Sequence, residues 1–133
     1  MMEEIAVKSG SRSEFIDITH KIGEVVGRSG TREGVCHVSS THTTAAVTIN
    51  ENADPTVPTD ILGHLDRMVP WRGPYQHSEG NSAAHIKSSL VGESVMLPVK
   101  DGRLVLGTWQ GIFFCEFDGP RQRRVIVTVL PGA

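Results

Sequence analysis

Two stretches near the end of the chain, "IFFCEF" at 112–117 and "VIVTVL" at 125–130, constrain the fold more than any other feature. A strand with one wet face alternates apolar and polar residues, whereas these runs are apolar on both faces once extended. Such a sheet needs cover on each side: helices on one, and a second sheet or a neighbouring subunit on the other. Upstream, "ESVMLPV" reads as a further strand. Asp101-Gly102 in "KDGR" suits a two-residue hairpin turn, "LVLGTWQGIFFCEF" reads as strand beyond it, and "DGPR" leads into "RRVIVTVL". This half is expected to be antiparallel.

The first half mixes both periods. "EEIAVKS" reads as a strand, and "GVCHVSS" and "TTAAVTIN" as paired β-branched strands. Helical spacing of Ile18, Ile22, Val25 and Val26 predicts a short amphipathic helix, capped by Asp17 or Thr19 and stopped at Gly30. A second helix follows Asp54 and Pro55, carries Ile61, Leu62, Leu65, Met68 and Val69 on one side, and ends at Pro70. A third, short one starts at Asn81 or Ser82, with Ala83, Ile86 and Leu90 as its buried stripe and Gly92 closing it. The expected architecture is α+β: an antiparallel, β-sandwich-like (jelly-roll-like) single domain over residues 1–133 with two or three short helices.

At 133 residues the chain can bury roughly two thirds of its unfolded surface, enough for its own core. Thirteen basic against fifteen acidic residues leave a formal charge of −2, and no segment interleaves cations with aromatics, which argues against nucleic acid as a partner. "RQRR" at 121–124 reads as a solvated strand end. No apolar run reaches the ~20 residues a membrane crossing requires, and "MMEEIAVKSG" has neither a basic n-region nor an apolar h-region. No membrane association and a cytoplasmic location are expected. Cys36 and Cys115 form no CxxC pair and read as buried thiols.

Chemistry-bearing residues gather around histidines. In "HSEGNSAAH", His85 falls in the first turn of the third helix, where side chains lean back toward the loop carrying His77. The two rings can converge, although they can equally be capping polar residues near a turn. His42, in "STHTTAAVTINEN", sits among hydroxyls that either bond one another across strands or line a polar pocket. Three neutral imidazoles and a water would satisfy a divalent ion such as zinc with one open position, and Glu51 could then act as base. Asp60 either pairs with His64 on the second helix or faces the Glu51 region. Between two glycines, Trp109 and Gln110 offer an aromatic plate and an amide, and Arg121 offers a fork suited to phosphate or carboxylate. An Asp118–Arg121 ion pair that fixes the turn is the structural alternative. Together these groups describe a pocket for a small anionic ligand.

The stretches "HTTAAVTINENADPTVPTD", "HSEGNSAAHIKSSLVG", "LGTWQGIFFCEFDGPR" and "RRVIVTV" occur in an order, and over a length of chain, that resembles the YjbQ family of secondary thiamine-phosphate synthase enzymes. The resemblance implies a homotrimer of β-sandwich-like subunits with a polar pocket near subunit boundaries. It carries site roles to His42, Glu51, Asp60, His77, Asn81, His85, Trp109, Gln110, Asp118 and Arg121. His42, His77 and His85 are expected as metal ligands, Glu51 and Asp60 as catalytic carboxylates, and Asn81, Trp109, Gln110, Asp118 and Arg121 as substrate-binding groups. The implied activity is a secondary one. A transferase joins hydroxymethylpyrimidine diphosphate to a thiazole phosphate and releases pyrophosphate. The competing expectation is a sensor or carrier that binds a phosphorylated metabolite without turnover.

Overall fold

The computed structural model describes residues 1–133 and sets two antiparallel sheets face to face, with three helices around them. The strands are β1 (Met2–Lys8), β2 (Glu14–Asp17), β3 (Gly34–Ser40), β4 (Ala45–Glu51), β5 (Ser94–Lys100), β6 (Arg103–Leu104), β7 (Gln110–Glu116) and β8 (Gln122–Pro131), and the helices are α1 (Thr19–Ser29), α2 (Thr56–Met68) and α3 (Ser82–Val91). One sheet has the order β1-β8-β3-β5-β6 and the other β2-β7-β4. No helix is long and apolar enough to cross a membrane.

The two-sided apolar character of β7 finds its explanation in its central place in the three-stranded sheet. Ile112 and Phe114 join Val125, Val127 and Val129 of β8 and the α1 residues Ile22, Val25 and Val26 in the main core between the sheets. Phe113, Cys115 and Phe117 face the other way into a second cluster with Ala46, Ala84, Phe15, Leu62, Leu65 and Trp71. Each fully buried side chain of this size contributes about 1.5–3 kcal/mol. Both cysteines are buried and free, and burial pushes the Cys36 thiol up to about 11.

Within one protomer β8 is covered on one side only: Val125, Val127 and Val129 are buried, but Ile126 and Thr128 are half-buried and Leu130 is exposed, which leaves its second face for a neighbouring subunit. Several other expectations need correction. β3 and β4 do not pair with each other; β3 lies between β5 and β8, and β4 pairs with β7. A β-branched run carries no information about which strand it will meet. "LVLGTWQGIFFCEF" is not one strand, because the chain leaves the larger sheet after β6 and enters the smaller one at β7. β2 was not foreseen, since "EFID" is too short to show a period. The buried face of α3 is formed by Ala83, Ala84, Lys87 and Ser88, leaving Ile86 and Leu90 exposed. Small residues let α3 lie close against β4, so its larger apolar side chains turn outward.

The local signals held better. Asp17 accepts hydrogen bonds from Thr19 N and Oγ1 at the start of α1, and Asp54 does the same for Thr56 at α2. Gly30 ends α1 at φ 68°, a left-handed conformation that glycine adopts without a Cβ penalty. Asp101 and Gly102 both have positive φ, as a two-residue hairpin turn requires.

Candidate functional site

The three-stranded sheet has two poles, and the expected site residues divide between them. Register fixes this: Ala45 pairs with Glu116 at one end of the β4–β7 ladder and Glu51 with Gln110 at the other. Six residue steps of strand separate Ala45 from Glu51, about 20 Å. His42, His77, Asn81, His85, Asp118 and Arg121 gather at the first pole, while Glu51, Trp109 and Gln110 lie at the second. Within one protomer Glu51 cannot act on anything held by His42. Asp60 is exposed on α2.

At the first pole the rings of His77 and His85 meet edge to face, with centroids 5.3 Å apart. The first turn of α3 and the preceding loop bring them together as the sequence led us to expect. The loop closes on itself through the His77 carbonyl, which accepts from Gly80 N, and Glu79 Oε1 stands 3.8 Å from His77 Nε2. Tyr75, Gln76, His77, Ser82, His85 and Ile86 line a cavity of about 350 Å³. His85 also borders a second cavity of about 360 Å³, with His42, Thr43, Ser88 and Glu93 among its walls. Both volumes fall within the ~300–1,000 Å³ of small-molecule sites. His85 is therefore the wall that the two cavities share.

His42 is anchored by Arg124, whose backbone N–H donates to Nε2 at 3.0 Å. An imidazole nitrogen that accepts carries no proton, so neutral His42 bears its hydrogen on Nδ1. Burial, reinforced by the nearby Arg123 guanidinium, holds its pKa below the ordinary histidine range. Behind it lies a group the sequence reading missed. Glu116 is fully buried and receives Arg123 through Nε at 2.8 Å and Nη2 at 2.5 Å, Ser9 Oγ at 2.6 Å, and the Phe117 and Asp118 backbone N–H groups. Burial raises the Glu116 pKa, but these donors outweigh it and the net shift is downward. Arg123 also donates to Thr44 Oγ1 at 2.8 Å. "RQRR" is thus not a wholly solvated strand end. Arg123 is in phase with Val125, Val127 and Val129, and that alternation was the available signal.

Asn81 and Asp118, expected among the substrate-binding groups, bond to each other. Asn81 Nδ2 donates to Asp118 Oδ2 at 2.8 Å, and Arg121 reaches the same oxygen at 3.1 Å and the Asp118 carbonyl through Nε at 2.8 Å. This chain ties the N-terminus of α3 to the turn between β7 and β8. Arg121 remains half exposed, so its guanidinium can still meet an anion. At the opposite pole Trp109 is 62% exposed, and Gln110 Oε1 accepts from Gly107 N. There Asn52 donates to Asp17 at 3.0 Å. Burial raises the Asp17 pKa, yet the bonds from Thr19 and Asn52 bring it below the usual carboxylate range.

The expected metal trio does not converge within a protomer. The rings of His77 and His85 are in contact with each other. His42, however, has Nε2 engaged by Arg124 and faces only the second cavity. No group of three His, Cys, Asp or Glu side chains comes close enough together to hold an ion.

The family model described as UPF0047 protein YjbQ-like matches residues 3–132. A UPF0047 protein of Methanocaldococcus jannaschii is 48% identical over 130 residues, covering 98% of this chain and 94% of its own. UPF0047 protein YugU of Bacillus subtilis is 47% identical, covering 98% and 99%. Among solved structures, a YjbQ/UPF0047 family protein of Clostridium acetobutylicum superposes with a TM-score of 0.95 at 51% identity, covering 96% of this chain and 99% of that one. A YbjQ-like protein of Sulfolobus solfataricus reaches 0.96 at 32% identity, covering 99% and 97%.

Proposed function

We propose, for a chain that belongs to the UPF0047 YjbQ-like family, that the histidine pole is the site of a small-molecule transferase of the thiamine-phosphate synthase kind. The observation that carries this reading is the position of His85 between two adjoining cavities. A condensation of two substrates needs two subsites that meet where the bond is made. In the reaction considered, a thiazole nitrogen attacks the exocyclic methylene of a pyrimidine diphosphate. The carbon–nitrogen bond forms as the carbon–oxygen bond breaks, and pyrophosphate leaves. A histidine between the subsites can hydrogen-bond the departing oxygen, and the guanidinium of Arg121 is available to an anion. The test is direct: purified protein is given hydroxymethylpyrimidine diphosphate and thiazole phosphate, and thiamine phosphate and pyrophosphate are measured. Product formation that disappears in His85→Ala supports the reading; absence of both product and binding of either substrate ends it.

A second reading is favoured by the position of Glu51 and Asp60, the carboxylates expected to move protons, away from the histidines. The pocket would then capture a phosphorylated metabolite without turnover. Binding without product, unchanged in Glu51→Gln, distinguishes this case.

We further propose a homotrimer that packs through the outer face of the larger sheet. Met2, Met96, Leu130 and Val105 are 69%, 64%, 54% and 45% exposed, with half-buried Val35 and Ile126 among them. A patch of this character is what an interface between copies covers.

A further inference from the structure

α3 presents different residues to different surroundings. His85 and Lys87 are two residues apart, about 200° around a helix of 3.6 residues per turn, so they lie on opposite sides of it. His85 meets the cavities of the histidine pole, whereas Lys87 borders another, of about 460 Å³, whose other walls are Arg12, Ser13, Asp66, Pro70 and Trp71. Three segments build it: the turn between β1 and β2, the end of α2 with the residues after it, and the middle of α3.

The charges here are not balanced. The Lys87 side chain is 2% exposed, and burying an ammonium is costly unless its donors are met. One of its three donors goes to Asp66, and no other acceptor in the protein takes the rest. Asp66 is itself 61% exposed, so the ammonium end of Lys87 is approached from the open side of the cavity rather than from the core. Arg12 has no carboxylate partner. Its guanidinium lies over the Trp71 ring, 4.2 Å from the centroid, which steadies the group and leaves its N–H fork free. An ion pair between α2 and α3 accounts for Lys87 and Asp66 but not for a second cation at the same cavity. The turn that carries Arg12 is fixed in advance: Gly119 N donates to the Arg12 carbonyl at 3.0 Å, and Ser9 Oγ donates to Glu116 at 2.6 Å. Two cations against one carboxylate, with the Ser13 hydroxyl beside them, suit a doubly charged oxyanion.

We propose that this cavity is a second anion site, separate from the histidine pole, which takes the phosphate group of a small phosphorylated molecule between Arg12 and Lys87, in competition with the Asp66 carboxylate. It does not rest on the transferase reading.

The experiment titrates inorganic phosphate into the full chain and follows the indole N–H signals of its two tryptophans by NMR. Trp71 is in the cavity wall and Trp109 at the opposite pole, so Trp71 should move to saturation while Trp109 stays. Arg12→Met keeps an apolar stem on Trp71 and removes the fork; it should weaken phosphate about tenfold. Asp66→Asn keeps an oxygen for Lys87 and removes the competing charge; it should tighten phosphate about threefold. His85→Ala should leave the Trp71 titration unchanged, and acetate, with a single charge, should bind about tenfold more weakly than phosphate. A Trp71 signal that does not saturate, unchanged affinity in Arg12→Met, weaker binding in Asp66→Asn or equal loss in His85→Ala overturns the site. Acetate that binds as well as phosphate overturns the assignment to phosphate. None of these outcomes bears on the substrates of the histidine pole.

Discussion

Arg123 and Glu116 face each other across the two sheets in a bidentate pair shielded from water, and His42 stands beside them. The pair joins β8 of the larger sheet to β7 of the smaller at the pole where the candidate site lies. Its energetics follow from burial rather than from charge alone, because a buried carboxylate without its partner is far more costly than no carboxylate at all.

Arg123→Met should therefore lower the free energy of unfolding by about 3–5 kcal/mol, read from urea denaturation. The paired change Arg123→Met with Glu116→Leu should recover much of that loss. A single variant as stable as the wild type would contradict the role given to the pair.

Acid provides a second test. The folded-state pKa of Glu116 is depressed, so its contribution to stability is complete above the ordinary glutamate pKa of about 4.3 and is lost as pH falls through the lower native value. Asp17 has the same sign. Unfolding free energy should decline below about pH 4.3, and Glu116→Gln should flatten part of that decline.

The tautomer of His42 is open to direct observation. Nitrogen chemical shifts should show the proton on Nδ1, with a midpoint below about 6.5. A proton on Nε2 would be incompatible with the bond from Arg124 N.

Assembly gives a fourth. Met96→Asp places a charge in the middle of the exposed apolar face and should convert a trimer into monomers in sedimentation, leaving the monomer folded. Trimers that persist unchanged would locate the interface elsewhere.

At the opposite pole, a Cβ on Gly111 would lie 2.3 Å from Asn52 Nδ2 and 2.8 Å from Asn52 Cβ. Gly111→Ala should displace the whole Asn52 side chain, break its bond to Asp17, and raise the Asp17 pKa in a carboxyl titration. An unmoved Asp17 would show that Thr19 alone sets its acidity.

The sequence by itself determined what depends on near neighbours along the chain. The helices, the Asp17 and Asp54 caps, the Gly30 stop, the hairpin at Asp101-Gly102 and the meeting of His77 with His85 all follow from spacing, since each involves residues a turn or a short loop apart. The need for cover on both faces of β7 was legible for the same reason, because alternation along one strand is a local property. Tertiary structure alone decided which strands pair, that α3 buries Lys87 and Ser88 rather than Ile86 and Leu90, and that Arg123 finds Glu116. Those outcomes depend on register and on close approach between segments far apart in the chain, where many pairings satisfy the same hydrophobic pattern and only simultaneous packing of both sheets selects one.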